Sequence, residues 1–198
     1  MTALPVNRRK FTPEEYLVIE RAAETRSEFV DGEIYAMAGA TEAHITINDN
    51  LTIAVGVRLR GNPCQGMSQN MKVPAGTGRL YAYPDFLIGC GQKRYRDRDR
   101  DVLLNPLVIF EVLSPSTELY DRKTKFNLYK QIESLREFVL IAQDSPVVEH
   151  WLRQDDESWR QIVVSGTDAA LTLEAVSVTV PLAELYDRIE FAAGLEME

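Results

Sequence analysis

The spacing of hydrophobic and polar positions changes several times along the chain, and each change marks an element. "FTPEEYLVIERA" places Thr12 before Pro13, Glu14 and Glu15, which predicts an N-cap, a proline at the first helical position and an acidic first turn. "SEFVDGEIYAMAG" alternates on both sides of Asp31-Gly32, a hairpin dipeptide. "ATEAHITINDNLTIAVGVRLRG" reads as a helix of about five turns. Its apolar positions Ile45, Leu51, Val55 and Leu59 follow helical spacing, and Gly61 closes it. Two strands, "QNMKVPA" and "YAYPDFLIGC", flank the turn "GTG". "LVIFEVLS" is a nearly unbroken apolar run and predicts a strand buried on both faces.

"TELYDRKTKFNLYKQIESL" predicts a helix of about four turns, and "REFVLIAQ" the strand beyond it. "VVEHWLRQDDESWRQIVVSG" is a hairpin turning at Asp155–Ser158. "LTLEAVSVTVPLAELYDRIEF" gives one more strand and a short closing helix. The helix between "LVIFEVLS" and "REFVLIAQ" is a crossover, so those strands should be parallel and the connection right-handed. The expected architecture is α/β, a mixed sheet with helices on both faces. The expected organisation is a single domain over residues 1–198, with residues 1–10 as a loose N-terminal arm. "GQKRYRDRDRDVLLN" is expected to be a solvated, mobile connection, or else a loop that meets a phosphate backbone.

The 198 residues suffice for one domain with a sizeable core. The net charge of −8 argues against broad non-specific binding to nucleic acid, though it leaves room for a basic patch inside a cleft. Cys64 and Cys90 have neither CxxC nor zinc spacing, so two reduced, partly buried thiols in a cytoplasmic protein are expected. No apolar run reaches the roughly 18 residues of a membrane span, and "MTALPVNRRKFTPEEYL" lacks a secretory apolar core.

Three ionisable residues stand where apolar ones are expected. Glu111 interrupts "LVIFEVLS", where a lone carboxylate is costly unless paired or bound to a metal. Asp85 lies inside "YAYPDFLIG" after Pro84, and proline there indicates an edge or a bulge that can turn a side chain into a cleft. With Lys123 at 0° and ~100° per residue, Lys125 falls near 200°, between Ile132 near 180° and Tyr129 near 240°. Lys125 therefore points at the sheet. Singly, Lys125 reads as a snorkelling core lysine and Glu111 as half of a buried salt bridge. Together with Asp85 they form two hard-oxygen ligands and an ammonium, the set needed for a divalent cation and an activated water.

"YPD", "FEVLSPST", "YDRKTKFNLYKQ" and "SLREFVLI", with "EFVDGEIYAMAGATEAH" ahead of them, resemble the Uma-type restriction endonucleases of the PD-(D/E)XK nuclease superfamily, over about Phe11 to Tyr186. The resemblance implies a restriction-endonuclease-like fold, a central mixed β-sheet flanked by helices with peripheral hairpins. It also implies a Mg²⁺- or Mn²⁺-dependent DNA endonuclease acting as a homodimer. Asp85 and Glu111 would be the motif acids and metal ligands, with the Val112 backbone carbonyl as a further oxygen. Leu113 stands where the superfamily motif has lysine, and Lys125 in the following helix would replace it. His44, Glu28 and Tyr129 are secondary candidates. His44 is a surface histidine or a contact to metal-bound water or phosphate. Glu28 is a solvated strand residue or a third acid, and Tyr129 is packed with a wet hydroxyl. Asp121 and Ser114 read as structural, and His150 as a residue of a surface hairpin. Two alternatives stay open: a nuclease-fold binding module with little or no catalysis, and a purely structural ion network. No GxxxxGK[ST], GxSxG or HExxH motif points to another hydrolase class.

Overall fold

The computed structural model describes residues 9–37, 39–115 and 117–191; most of the expected N-terminal arm lies outside them. Helix α1 (Pro13–Ala22) opens with a capping box. The Glu15 amide donates to Thr12 Oγ1 at 3.2 Å, and the Thr12 amide donates to the Glu15 carboxylate at 2.9 Å. Two donors that a helix start leaves open are thereby satisfied. Strands β1 (Ser27–Val30) and β2 (Glu33–Ala36) form the expected hairpin, and α2 (Glu42–Arg58) follows with Thr41 as its cap.

Seven strands come between and after the next turns: β3 (Cys64–Ser68), β4 (Val73–Ala75), β5 (Leu80–Ala82), β6 (Phe86–Cys90), β7 (Val108–Val112), β8 (Glu137–Ile141) and β9 (Val147–Arg153). Strand β10 (Trp159–Ser165) completes the second predicted hairpin. The main sheet has the order β10-β9-β8-β7-β6-β3, with β7 and β8 parallel as expected and the other neighbours antiparallel. A smaller sheet has the order β2-β1-β5-β4. The crossover helix α3 covers residues 118–129.

Side chains alternate faces along a strand, and β7 divides the core accordingly. Val108, Phe110 and Val112 pack with Ile47, Leu51 and Val55 of α2. Ile109 and Leu113 pack with Phe126, Leu128 and Tyr129 of α3 and with Leu80 and Ala82 of the smaller sheet. Glu111 shares the face of Ile109 and Leu113, and this alternation aims its carboxylate at α3.

Several expectations need correction. "YAYPDFLIGC" is two strands in two sheets: the chain leaves the smaller sheet after Ala82 and enters the main one at Phe86. Pro84, with its fixed φ and no N–H, sits at the crossing. Edge strand β3 was not expected, because "CQGMS" has no apolar alternation. Gly66 fits it beneath the Phe86 ring, where a Cβ would come within 2.3 Å of ring carbon. The "LTLEAVSVTVP" segment is a pair, β11 (Ala170–Leu173) and β12 (Val178–Pro181), turned by residues 174–177 with Ser177 at φ 54°; α4 (Leu182–Leu185) closes the chain. Ile45 is exposed, while Ile47 and Asn48 take the buried positions of α2.

The charged segment before β7 is folded rather than loose. Arg21 bonds Asp97 at 2.8 Å, Asp99 at 3.0 Å and Asp101 at 2.7 Å, and Lys72 reaches Asp101 at 2.9 Å. Backbone bridges Lys72–Val102 and Tyr95–Leu103 pin the segment, and Val102 and Leu103 are fully buried. Its alternating charges are matched by residues distant in sequence, which periodicity does not reveal.

Cys64 and Cys90 are bonded as a disulfide, not reduced thiols. The β3–β6 register puts them directly opposite, with Cα atoms 3.9 Å apart. His150 is buried rather than at the surface: it alternates inward with Val148 and Leu152, and its Nε2 meets Glu137 Oε2 at 2.5 Å. The other Glu137 oxygen accepts from the Ala175 amide at 2.5 Å, tying the β11–β12 turn to the main sheet. Among the described residues, no helix is long and apolar enough to cross a membrane.

Candidate active site

Asp85 is delivered by the sheet crossing. Asp85 immediately precedes β6, whose first residue Phe86 pairs with Phe110, the neighbour of Glu111, and its charge acts on Glu111. Asp85 Oδ2 accepts from the Val112 amide at 2.8 Å, and Oδ1 meets His44 Nε2 at 2.9 Å. His44 lies in the first turn of α2, where its own amide donates to Thr41 Oγ1. Two elements thus hold the Asp85 carboxylate.

Lys125 comes from α3, which is not a uniform α-helix. Residues Asp121–Lys125 form a π segment, and the Phe126 amide reaches back to the Asp121 carbonyl. Such widened turns concentrate at functional sites. The Lys125 ammonium is enclosed and lies 3.0 Å from Glu28 Oε1, 3.3 Å from Glu111 Oε1 and 3.2 Å from Asp121 Oδ1. The Tyr129 hydroxyl donates to the same Glu111 oxygen at 3.2 Å, and Glu28 accepts from the Tyr83 amide at 3.3 Å. The Tyr120 ring centroid stands 5.5 Å from the ammonium.

Burial pushes the Glu111 carboxyl well above the usual range; Lys125 pulls it back, while Asp121, Asp85 and Glu28 push it further up. Burial alone would lower the Lys125 ammonium, but Glu111, Glu28 and Asp121 overcome it and hold the lysine charged well above its usual range. Tyr129 is likewise raised, by burial first and by Glu111 second. The Lys125 ammonium thus stands among the carboxyl groups of Glu28, Glu111 and Asp121. Among the described residues, no group of three or more His, Cys, Asp or Glu side chains is arranged to hold a metal ion unaided. A surface cavity of about 420 Å³ beside Gly76–Gly78 shares no residue with this centre.

Residues 13–183 match the family described as "putative restriction endonuclease", Uma2. The chain belongs to the Uma2 family. Two uncharacterized proteins of Synechocystis sp. resemble it along most of their length. One, slr1290, is 31% identical over 183 residues, covering 92% of this chain and 94% of the relative. The other, sll1609, is 29% identical over 167 residues, covering 84% and 94%. A crystal structure from Anabaena variabilis, described as "a putative nuclease belonging to DUF820", superposes with a TM-score of 0.73 at 17% identity, covering 89% of this chain and 97% of that one. The fold is that of restriction-endonuclease-like nucleases, a central mixed sheet flanked by helices.

In this Uma2 chain, Glu111, Lys125, Tyr129 and Glu28 meet directly, and Asp85 with His44 borders them across the β6–β7 ladder. The secondary candidates Tyr129 and Glu28 both join the centre. Tyr129 is fully buried and its hydroxyl donates to Glu111. Glu28 is buried and ion-paired, not a solvated strand residue. Asp121, read as structural, belongs to the centre: its spacing of four from Lys125 is the signal that could have placed it there. Tyr120 also borders the centre, and its spacing from Lys125 carries no comparable signal.

Proposed function

We propose that this chain is a metal-dependent endonuclease that hydrolyses DNA phosphodiester bonds, using a variant PD-(D/E)XK site whose lysine has moved to the following helix. The observation that carries this reading is the meeting of Lys125 with Glu111 and Glu28, from three separate elements, beside Asp85. The donor chemistry fits Mg²⁺ or Mn²⁺. Mg²⁺ is commonly held by one or two carboxylates with water and substrate phosphate completing its shell, so a protein cage of three ligands is not required. Asp85 and Glu111 are the proposed ligands, with the Val112 carbonyl as a third oxygen. When bound, the ion would supply Lewis acidity at the phosphate and lower the pKa of a water.

The chain's own residues have distinct tasks in this reading. Lys125 offsets charge that builds on the phosphate oxygens in the transition state and orients the water. Tyr129 and Glu28 hold the Glu111 carboxylate and the Lys125 ammonium in place, and His44 fixes the Asp85 rotamer. A homodimer, with one site for each strand of a duplex, and a cytoplasmic setting belong to the same proposal. A non-catalytic binding module is the second reading, favoured by one observation: three carboxylates already engage Lys125.

Plasmid cleavage in Mg²⁺ tests the proposal. Wild type should nick or cut, and Asp85→Ala and Lys125→Ala should be slower by about 100-fold or more. Equal cutting by all three would identify a contaminant and reject the assignment.

A further inference from the structure

The Asp85 carboxylate is gripped by the Val112 amide and His44, and its backbone has a separate fixing point. The Asp85 carbonyl accepts from the Gln69 amide at 3.1 Å. Gln69 has a φ of 49°, in the left-handed region that a residue with a Cβ disfavours, so its neighbours must hold it there. Arg26 does so. Its Nη1 donates to the Gln69 carbonyl at 2.5 Å and to Asn70 Oδ1 at 3.0 Å. The same guanidinium lies over the Tyr83 ring, 5.8 Å from its centroid, and the Tyr83 amide donates to Glu28. The Arg26 carbonyl accepts from the Met37 amide at 3.0 Å, which anchors the arginine to the first hairpin. One exposed side chain thus braces the Tyr83–Pro84–Asp85 corner twice, at the ring of its first residue and, through Gln69, at the carbonyl of its last.

We propose that Arg26 is a positioning residue for Asp85: it locks Gln69, and through it the Asp85 backbone, so that the carboxylate is presented to a divalent cation already oriented. This deepens the nuclease reading and rests on it for the cation. Groups that fix a ligating carboxylate set metal affinity without touching the ion. Without the guanidinium, Gln69 relaxes out of the left-handed region and its amide leaves the Asp85 carbonyl. The Asp85 side chain then loses its fixed approach to Val112 and His44. Arg26 is exposed, so its loss leaves the core intact. Electrostatics alone predicts the opposite sign, because deleting a nearby positive charge favours a bound cation.

Arg26→Met tests this, since it keeps an unbranched stem and deletes the guanidinium. In the metal-free protein, amide exchange followed by NMR should accelerate at Gln69 and at Val112, whose amides report the grip on the Asp85 carbonyl and carboxylate. Calorimetric titration with Mn²⁺ should show affinity lower by about 10- to 100-fold in the variant, with the melting temperature unchanged. Mn²⁺ binding by Arg26→Met as tight as in wild type, or tighter, overturns the role of Arg26 and leaves the nuclease reading standing. So does wild-type exchange at both amides in a variant that binds Mn²⁺ weakly, and so does a variant that melts well below wild type. A wild type that binds no Mn²⁺ at millimolar concentration rejects the nuclease reading, and this proposal with it.

Discussion

Replacing Glu111 with glutamine separates a functional centre from a structural ion pair. Glutamine keeps an acceptor oxygen for Lys125 and Tyr129 and removes the charge. Lys125 is not orphaned, because Glu28 at 3.0 Å and Asp121 at 3.2 Å remain. What disappears is one carboxylate from a group in which burial and neighbouring acids raise the Glu111 pKa well above its usual range. The folded state therefore holds the Glu111 proton more tightly than the unfolded chain does. That contribution is fully present below the ordinary carboxylate range and is lost as the pH rises through the folded-state value. The glutamine variant should match wild type in acid and exceed it near neutral pH. Relief of crowding among buried charges is worth about 1–2 kcal/mol, or a melting temperature higher by about 2–8 °C for a chain of this size. Lys125→Met should do the opposite and cost about 3–5 kcal/mol, because Glu28, Glu111 and Asp121 lose their shared cation. Calorimetric melts of the three proteins at acid and neutral pH, without divalent cations, measure both effects. If Glu111→Gln falls by about 3–5 kcal/mol alongside Lys125→Met, Glu111 is half of a structural pair and the reasoning fails.

Removing the Cys64–Cys90 bond with Cys64→Ser should cost about 2–4 kcal/mol in urea titrations of the oxidised protein. Wild type in excess dithiothreitol should lose the same amount, and equal midpoints with and without reductant would contradict this. Glu137→Ala removes the acceptor for both His150 and the Ala175 amide and should destabilise by about 2–6 kcal/mol, counting about 1–3 for each stranded donor. Amide exchange should then accelerate first in the turn at residues 174–177, and uniform exchange would contradict the proposed tether.

The main architecture was readable because its signals are local or periodic. Thr12-Pro13 announced α1, Asp31-Gly32 announced the first hairpin, and the crossover helix implied the parallel β7–β8 pair. Glu111 and Lys125 were visible as polar residues at apolar phases, and burial on the expected faces followed. What was hidden depended on partners distant in sequence. Arg21 lies far from Asp97, Asp99 and Asp101, so the charged segment looked loose. Cys64 meets Cys90 only through a strand whose sequence has no β pattern. His150 looked like an ordinary hairpin residue because its partner Glu137 lies on the neighbouring strand. The π segment has no sequence signature, yet it lies where α3 contributes Asp121 and Lys125 to the centre.

The most direct test of the central claim is a crystal grown with Mn²⁺ and measured at an anomalous wavelength. The account predicts a peak bound by carboxylate oxygens of Asp85 and Glu111, at about 2.0–2.3 Å, with the Lys125 ammonium beside it. An unoccupied centre at millimolar Mn²⁺, with Lys125 still paired to Glu28, Glu111 and Asp121, would contradict it.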